Sequence, residues 1–262
     1  MSAIAGVLVD PRQCGQTGLT AIDELIESQT SSGAEHIRCW RGESSVFALD
    51  CQYLSSTDHK DREIRPLASQ DESLVMAFAG ELFNALKLRT ELESLGYLFE
   101  GTGSAEIALA AAEHFGIEVA LSRFTGEFSI ALWNARQRVL YLARDRTGAR
   151  PLYAALGDGM LLFASELKTL GAFPASLTDD LVPGVGTNMC TNLNFEHSGR
   201  RLAAVFELRP GSLVAVQLPA ISELPVTRES RPVRTWWSLL VPVSRALGLR
   251  LAFAPTNEGF IQ

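Results

Sequence analysis

The sequence is poor in the residues that build disulfide and metal sites. It has four cysteines and four histidines among 262 residues. The cysteines form no C-x-x-C pair, and the histidines do not recur at metal-ligand spacing. We therefore predict no metal site. We also predict that Cys14, Cys39, Cys51 and Cys190 are free thiols, as is typical of a reducing compartment.

A basic surface and a long apolar run are missing too. The net charge is −7, and a nucleic-acid-binding protein would instead carry a basic face. The apolar run Ala3–Val9 is too short to span a membrane and lacks the basic flank of a signal peptide. We predict a cytoplasmic protein with neither a nucleic-acid nor a membrane partner.

The sequence has enough apolar residues, at 47%, to bury a large core. Its apolar stretches predict a first strand over 3–9, further short strands, and two hairpins that pair 127–133 with 139–144 and 152–155 with 160–164. This order of elements favours antiparallel sheets with helices packed outside them. Periodicity is weak after residue 220, so we predict one domain over 2–220 and an irregular tail over 221–262.

Helices are predicted over 20–29, 85–95, 105–114 and 166–170. Polar residues stand at the starts of the last three, where helices favour a capping side chain. These residues are Asn84, Ser104 and Ser165.

Ser2 follows the initiator methionine directly. If Met1 is removed, Ser2 combines a hydroxyl with a free α-amine, which is the arrangement of an N-terminal nucleophile. The alternative is that Ser2 is only a small residue at the start of the first strand. The residues alone leave both interpretations open.

Several stretches, taken in order, resemble one family. They are FAGELFN (78–84), FTGEFSIALWN (124–134), LARDRTGARPLY (142–153), LLFASELKTL (161–170), ELRPGSLV (207–214) and TWWSLL (235–240). Their order and spacing are similar to those of class-II glutamine amidotransferases, above all the glutaminase half of asparagine synthetase. The likeness extends over residues 2–240. It implies a four-layer αββα N-terminal-nucleophile sandwich with two antiparallel sheets.

The resemblance also implies a chemistry, which is glutamine hydrolysis by an N-terminal cysteine whose own α-amine is the base. In the family an asparagine side chain and the backbone N–H of the next glycine hold the oxyanion. An arginine and an aspartate hold the amino acid part of the substrate.

This sequence departs from the family at most of those positions. Ser2 stands at the nucleophile position, and Ala79 stands where the oxyanion asparagine would be, which leaves the backbone of Gly80. The arginine position falls on Tyr53 and the aspartate position on Ser104. Glu81, Asn84 and Glu106 are retained. We expect Tyr53 and Ala79 to fill volume that a glutamine pocket would leave open.

These substitutions predict a catalytically degenerate glutaminase-like domain, similar to those of β-lactam synthetases and lasso-peptide cyclases. Such a domain would act as a scaffold or partner of an ATP-dependent amide-forming synthetase chain. The alternatives are an N-terminal-serine amidohydrolase and a residual glutamine amidotransferase that supplies ammonia for asparagine-synthetase-type chemistry. Arg144 and Asp145 are predicted to form a structural ion pair at a strand end.

The phosphate-binding loop S-G-G-x-D-S of the family's synthetase domain does not occur in this sequence. No cofactor is predicted for the domain itself, since ATP and Mg²⁺ would belong to a separate synthetase domain. We expect either that the synthetase half is another chain or that the reading frame is truncated.

Overall fold

Alternating and continuous apolar stretches form the strands of two antiparallel sheets. The computed structural model describes residues 2–9, 36–42, 46–52, 66–157, 160–170, 192–197, 200–217 and 250–252. The strands are β1 (Ser2–Val9), β2 (His36–Arg41), β3 (Val46–Gln52), β4 (Leu67–Ala68), β5 (Leu74–Leu82), β6 (Gly126–Asn134), β7 (Val139–Arg144), β8 (Tyr153–Gly157), β9 (Met160–Ala164), β10 (Asn192–His197), β11 (Arg200–Glu207), β12 (Leu213–Gln217) and β13 (Arg250–Ala252). The helices are α1 (Ala85–Ser94), α2 (Ser104–Phe115), α3 (Ile117–Arg123) and α4 (Leu167–Leu170).

The two sheets differ in size and in the strands they contain. Within the described ranges, one sheet has seven strands in the order β10-β11-β8-β9-β1-β3-β2. The other has six, in the order β13-β12-β7-β6-β5-β4. The first strand of the chain is therefore central, because β1 pairs with β3 on one side and β9 on the other.

The apolar residues lie in two layers. One layer fills the space between the sheets and includes Ile4, Ala79 and Phe163. The other lies between the six-stranded sheet and helices α1–α3, and includes Leu92 and Phe128. The helix α2 contributes several alanines to this layer, and their small side chains let the helix pack closely on β5. Burial of apolar surface on both faces of the six-stranded sheet stabilises this half of the fold.

The predicted strand over 3–9 and both hairpins are confirmed, as are two antiparallel sheets with helices on their outside. Helix α3 was not predicted, because its seven residues are too few to show a clear period. The helix predicted over 20–29 and most of the tail over 221–262 lie outside the described residues. Within that tail, residues 250–252 form β13 and pair with β12.

None of the helices in the described ranges is long and apolar enough to cross a membrane.

Candidate functional site

The nucleophile position lies at the start of the central strand. Ser2 is the first residue of β1, and its backbone pairs with Gln52 at the end of β3. Tyr53, the position predicted for the substrate arginine, follows β3 and lies outside the described residues. The register therefore places the backbone of residue 2 at the end of a central strand, directly opposite the last residue of β3.

Ala79, at the predicted oxyanion position, is buried in the apolar layer between the sheets. Its exposed fraction is 1%, and it belongs to the same cluster as Ile4 and Phe163. Ile4 follows Ser2 by two residues on β1, so the cluster joins β5 to the strand that carries the nucleophile position. An alanine methyl cannot donate a hydrogen bond, so this position offers no side-chain donor to an oxyanion.

A steric reason for glycine at position 80 is visible in the fold. Its φ is +127°, and a Cβ at this position would lie 2.0 Å from the carbonyl oxygen of Glu127 and 2.8 Å from Cα of Phe128. Both contacts are to the backbone of the neighbouring strand β6, which cannot move away as a flexible side chain could. Only glycine fits here, whether or not its N–H has a catalytic use.

Glu81 is exposed and pairs across the β5–β6 ladder with Glu127, which is also exposed. Two like charges directly opposite each other in a ladder are unfavourable for sheet stability. The retained Glu81 therefore has no stabilising ionic partner in its cross-strand neighbour, and its carboxylate lies in solvent instead of in the layer between the sheets.

Ser104, at the predicted aspartate position, holds the end of β5. Its Oγ accepts a hydrogen bond from the backbone N–H of Leu82 at 2.9 Å, and Ser104 is the first residue of α2. A neutral hydroxyl at this position cannot balance the charge of a substrate ammonium group. In the structure Ser104 joins α2 to β5 through Leu82, which follows Gly80 by two residues.

Replacing Ser104 with alanine should lower the free energy of unfolding by about 1–3 kcal/mol, because it removes the acceptor of a partly buried backbone N–H. Urea denaturation followed by circular dichroism measures this change. Ser104→Thr keeps the hydroxyl and should recover most of the lost stability. Equal stability of the alanine variant and the parent would contradict the assignment.

The other retained residues, Asn84 and Glu106, also have structural roles. The Asn84 side chain donates to the carbonyl of Arg123 at 2.8 Å and accepts from the N–H of Thr125 at 3.0 Å. It makes no side-chain capping bond to α1, so the predicted cap is wrong in its bonding although Asn84 does precede the helix. The Glu106 carboxylate accepts two backbone N–H groups from the loop before α2, at 2.8 and 3.0 Å.

A short row of polar residues crosses the six-stranded sheet at the level of Ala79. Ala79 pairs with Ser129 of β6, and Ser129 pairs with Arg144 of β7. Both Ser129 and Arg144 are buried. The layer between the sheets therefore changes from apolar to polar along this row.

The guanidinium of Arg144 is bound by protein groups. It forms an ion pair with Glu207 at 2.7 Å and donates to the carbonyl oxygens of Leu208 at 2.6 Å and Gly148 at 2.7 Å. The predicted pair between Arg144 and Asp145 is therefore wrong in its partner. Adjacent residues at a strand end point in different directions, and Arg144 reaches across to the other sheet. With three protein partners, this guanidinium is not an evident substitute for the family's substrate arginine.

Asp145 organises the loop after β7. Its carboxylate accepts hydrogen bonds from Thr147 N and Oγ1, from Ala149 N and from Arg150 N, at 2.6–3.1 Å. Burial raises the pKa of Asp145, but these bonds, led by the one from the Thr147 side chain, outweigh burial and hold the pKa below its ordinary value. The carboxylate is therefore charged at neutral pH, and its oxygens already have several donors.

Tyr153 lies beside the same polar row, opposite Glu207 in the β8–β11 ladder. Burial raises the pKa of Tyr153, the carboxylate of Glu207 raises it further, and the nearby Arg144 opposes the shift. The phenol is therefore neutral at neutral pH and is not a base for activating a hydroxyl nucleophile.

Two hydroxyls near β1 belong to residues for which no role in the site was predicted. The Oγ of Ser165 accepts the N–H of Ile4 at 3.0 Å, and the Oγ of Ser129 lies 3.4 Å from it. Ser165 was predicted only as a helix cap. Ser129 could have been noticed as the one polar residue in the apolar run of the first hairpin, from Phe128 to Trp133.

No group of three or more histidine, cysteine, aspartate or glutamate side chains among the described residues could hold a metal ion. The described site thus combines a retained backbone, at β1 and Gly80, with an apolar side chain at Ala79 and a neutral one at Ser104. Among the described residues, this arrangement places the backbone of residue 2 but offers no side-chain amide at position 79 and no carboxylate at position 104.

Curated sequences similar to this chain include asparagine synthetases and fungal amidases. The glutamine-hydrolysing asparagine synthetase 1 of Bacillus subtilis is 41% identical over 106 residues, which is 40% of this chain and 17% of that protein. A putative glutamine-hydrolysing asparagine synthetase of Mycobacterium bovis is 44% identical over 128 residues, 48% of this chain and 19% of that protein. The amidase chry2 of Gibberella zeae is 26% identical over 216 residues, 80% of this chain and 29% of that protein. The chain thus spans less than a third of each of these relatives.

A solved structure supports the fold. The glutamine phosphoribosylpyrophosphate amidotransferase of B. subtilis, complexed with ADP and GMP, superposes with a TM-score of 0.52 at 16% identity, covering 81% of this chain and 46% of that one. The family model described as a glutamine amidotransferase domain matches residues 1–225. This chain therefore belongs to the glutamine amidotransferase domain family and is related to asparagine synthetases.

Proposed function

We propose that this domain does not hydrolyse glutamine at a useful rate and serves as a scaffold or partner of an ATP-dependent amide-forming synthetase. The observation that carries the proposal is Ala79, which is buried among apolar side chains where the family has its oxyanion asparagine. Loss of one oxyanion donor lowers the rate by about 10²–10³-fold. The backbone of Gly80 would remain as the other donor.

Two further substitutions act in the same direction. The neutral Ser104 replaces a carboxylate, and a hydrogen bond to a charged group contributes about 1.5–3 kcal/mol. A hydroxyl at residue 2 also has no appreciable anionic fraction at neutral pH, whereas a thiol has some. Each change weakens a different step, namely substrate binding, attack and oxyanion stabilisation, so no single remaining group compensates for all three.

The scaffold role is supported by which residues are retained. Gly80, Asn84 and Glu106 all have structural uses in the described residues, through steric fit or hydrogen bonds. The related asparagine synthetases carry long regions outside the matched segment. A synthetase-like chain is therefore the class of partner that we propose, with ATP and Mg²⁺ bound by that partner.

Isothermal titration calorimetry with glutamine tests the loss of substrate recognition. The proposal predicts no binding heat at millimolar glutamine, since the substrate's ammonium group finds no carboxylate at position 104. Ser104→Asp restores the carboxylate and is the matched variant for comparison. Saturable binding to the parent chain, abolished by a change at Ser104, would contradict the proposal.

Co-purification tests the partner role. The full chain, expressed with a synthetase-like chain that carries the phosphate-binding loop, should elute with it as a complex, and the synthetase should lose activity without it. Separate elution together with full synthetase activity in the absence of this chain would contradict the scaffold role.

The second candidate is an N-terminal-serine amidohydrolase that acts on a substrate other than an amino acid. It is favoured by the position of Ser2 at the start of the central strand and by the similarity to a fungal amidase over 80% of this chain. Intact-mass measurement and the variant Ser2→Ala separate it from the first proposal. Met1 must be removed, and the alanine variant must lose any amidase activity; a retained Met1 would exclude this candidate.

A further inference from the structure

Both backbone groups of Ile4 in the central strand β1 are hydrogen-bonded to one residue, Ser165, through its side chain and its main chain. The N–H of Ile4 donates to Oγ of Ser165 at 3.0 Å, and the N–H of Ser165 donates to the carbonyl oxygen of Ile4 at 2.8 Å. Ile4 is 1% exposed, so its N–H depends on this protein acceptor.

The serine hydroxyl substitutes here for a backbone carbonyl. The β1–β9 ladder runs from Val9 paired with Met160 to Ala5 paired with Ala164, so the next pair would be Ile4 and Ser165. In an antiparallel ladder such a pair exchanges two backbone hydrogen bonds. In this pair one acceptor is the side-chain Oγ, which lets the chain after Ser165 turn away into α4 while β1 stays bound.

Ser165 is the last contact on the β9 side of β1 before Ser2 among the described strand pairs. On the other side, β3 continues to pair as far as Ser2 with Gln52. The start of β1 is therefore supported by a full ladder on one side and by the two hydrogen bonds between Ile4 and Ser165 on the other. Loss of the Ser165 hydroxyl would remove one of these two bonds and leave the buried N–H of Ile4 without its acceptor.

We propose that Ser165 is a positioning residue that fixes the backbone of residue 2. The inference goes beyond the proposed function, because it concerns where the N-terminal residue is held and not whether Ser2 reacts with a substrate. Ser165 acts through the Ile4 backbone and is not a catalytic residue.

The experiment uses a reporter thiol at position 2 of the full chain. Ser2→Cys is alkylated with iodoacetamide across a range of pH, and mass spectrometry of the N-terminal peptide gives the rate at that position alone. Adding Ser165→Ala should raise this rate about threefold to tenfold, since one buried hydrogen bond no longer holds the strand. The pH midpoint of this rate should differ from that of the Ser2→Cys parent, because the thiol at a freer residue 2 has different neighbours.

The matched variants separate positioning from general loss of stability. Ser165→Thr keeps the hydroxyl and should restore the parent pH profile. Ser129→Ala removes a buried hydroxyl that lies 3.4 Å from Ser165 Oγ without removing the acceptor of Ile4, and should leave the profile unchanged. An unchanged profile in Ser165→Ala, or an equal change in Ser129→Ala, would overturn the proposal.

A measurement on the unmodified chain covers the case in which Ser165→Ala does not fold. Amide hydrogen exchange at Ile4, observed with isoleucine labelling, should be as slow as at Ile130 in the centre of β6. Exchange at Ile4 as fast as in an exposed segment would show that the hydroxyl does not hold the strand, and would overturn the inference.

Discussion

Replacing Asp145 with asparagine is expected to lower the free energy of unfolding by about 3 kcal/mol at neutral pH. The carboxylate is buried and accepts hydrogen bonds from Thr147, Ala149 and Arg150. Asparagine keeps one acceptor oxygen but brings an NH₂ group against backbone N–H donors. Hydrogen bonds to a charged group contribute about 1.5–3 kcal/mol each, and unpaired buried donors add a desolvation cost. Urea denaturation measures the difference.

The pH dependence of this effect has a definite sign. Asp145 has a folded pKa below its ordinary value of 3.8, so its contribution to stability is fully present above that value. The contribution is lost as the pH falls through the folded pKa. The difference in stability between the parent and Asp145→Asn should therefore be constant near neutral pH and narrow below about pH 4.

Asp71 provides the matched control for this prediction. It also organises a turn, accepting bonds from Ser69 and Ser73 and pairing with Arg136, but it is exposed. Asp71→Asn should change the stability much less, because water can replace the lost interactions. Equal losses at Asp71 and Asp145 would contradict the assigned importance of burial.

Replacing Gly80 with alanine should destabilise the domain by about 4 kcal/mol or prevent folding. The new Cβ would meet the carbonyl oxygen of Glu127 at 2.0 Å, and the φ of +127° adds backbone strain. The strands β5 and β6 of the six-stranded sheet would have to separate next to Ala79. Thermal and urea denaturation both measure this loss.

Gly96 separates the two causes of that loss. Its φ is +95°, but a Cβ there would have nothing within 4 Å. Gly96→Ala therefore carries only the conformational strain, about 1–2 kcal/mol. If Gly80→Ala and Gly96→Ala were equally destabilising, close approach of the two strands would not be the reason that position 80 is glycine.

The sequence predicts the strands and hairpins of this fold well because their apolar patterns are local. The hairpin of β6 and β7 is an example: the predicted bounds 127–133 and 139–144 differ from the observed ones by one residue at each end of β6. The order of the motifs predicted the two antiparallel sheets through the family resemblance. Pattern and order are properties of neighbouring residues, so they can be read from the chain.

The contacts of the site could not be predicted in this way. Ser165 and Ile4 are 161 residues apart, and nothing local indicates that a serine beside a helix would replace a carbonyl in a ladder. The partner of Arg144 was likewise mistaken, because Glu207 is 63 residues away and belongs to the other sheet. Such contacts depend on how the sheets face each other, which pattern and spacing do not specify.

The substitutions at the site are the reverse case. The sequence predicts that Ala79 and Ser104 are departures from the family, and this stays a prediction, but the structure shows the contacts that each residue makes. Ala79 completes an apolar cluster, and Ser104 holds the end of β5. The roles of Ser2 and Tyr53 stay predictions. Only the backbone of residue 2 is described, and Tyr53 lies outside the described residues.

The most direct test of the proposed loss of glutaminase chemistry measures ammonia release from glutamine that carries ¹⁵N in its side-chain amide. The full chain is used, and its intact mass is recorded to show whether Met1 is present. The predicted rate equals that of Ser2→Ala and of buffer alone, because the methyl group of Ala79 cannot donate a hydrogen bond to an oxyanion. A rate clearly above that of Ser2→Ala would show that Ser2 hydrolyses glutamine, and would contradict the proposal of a degenerate domain.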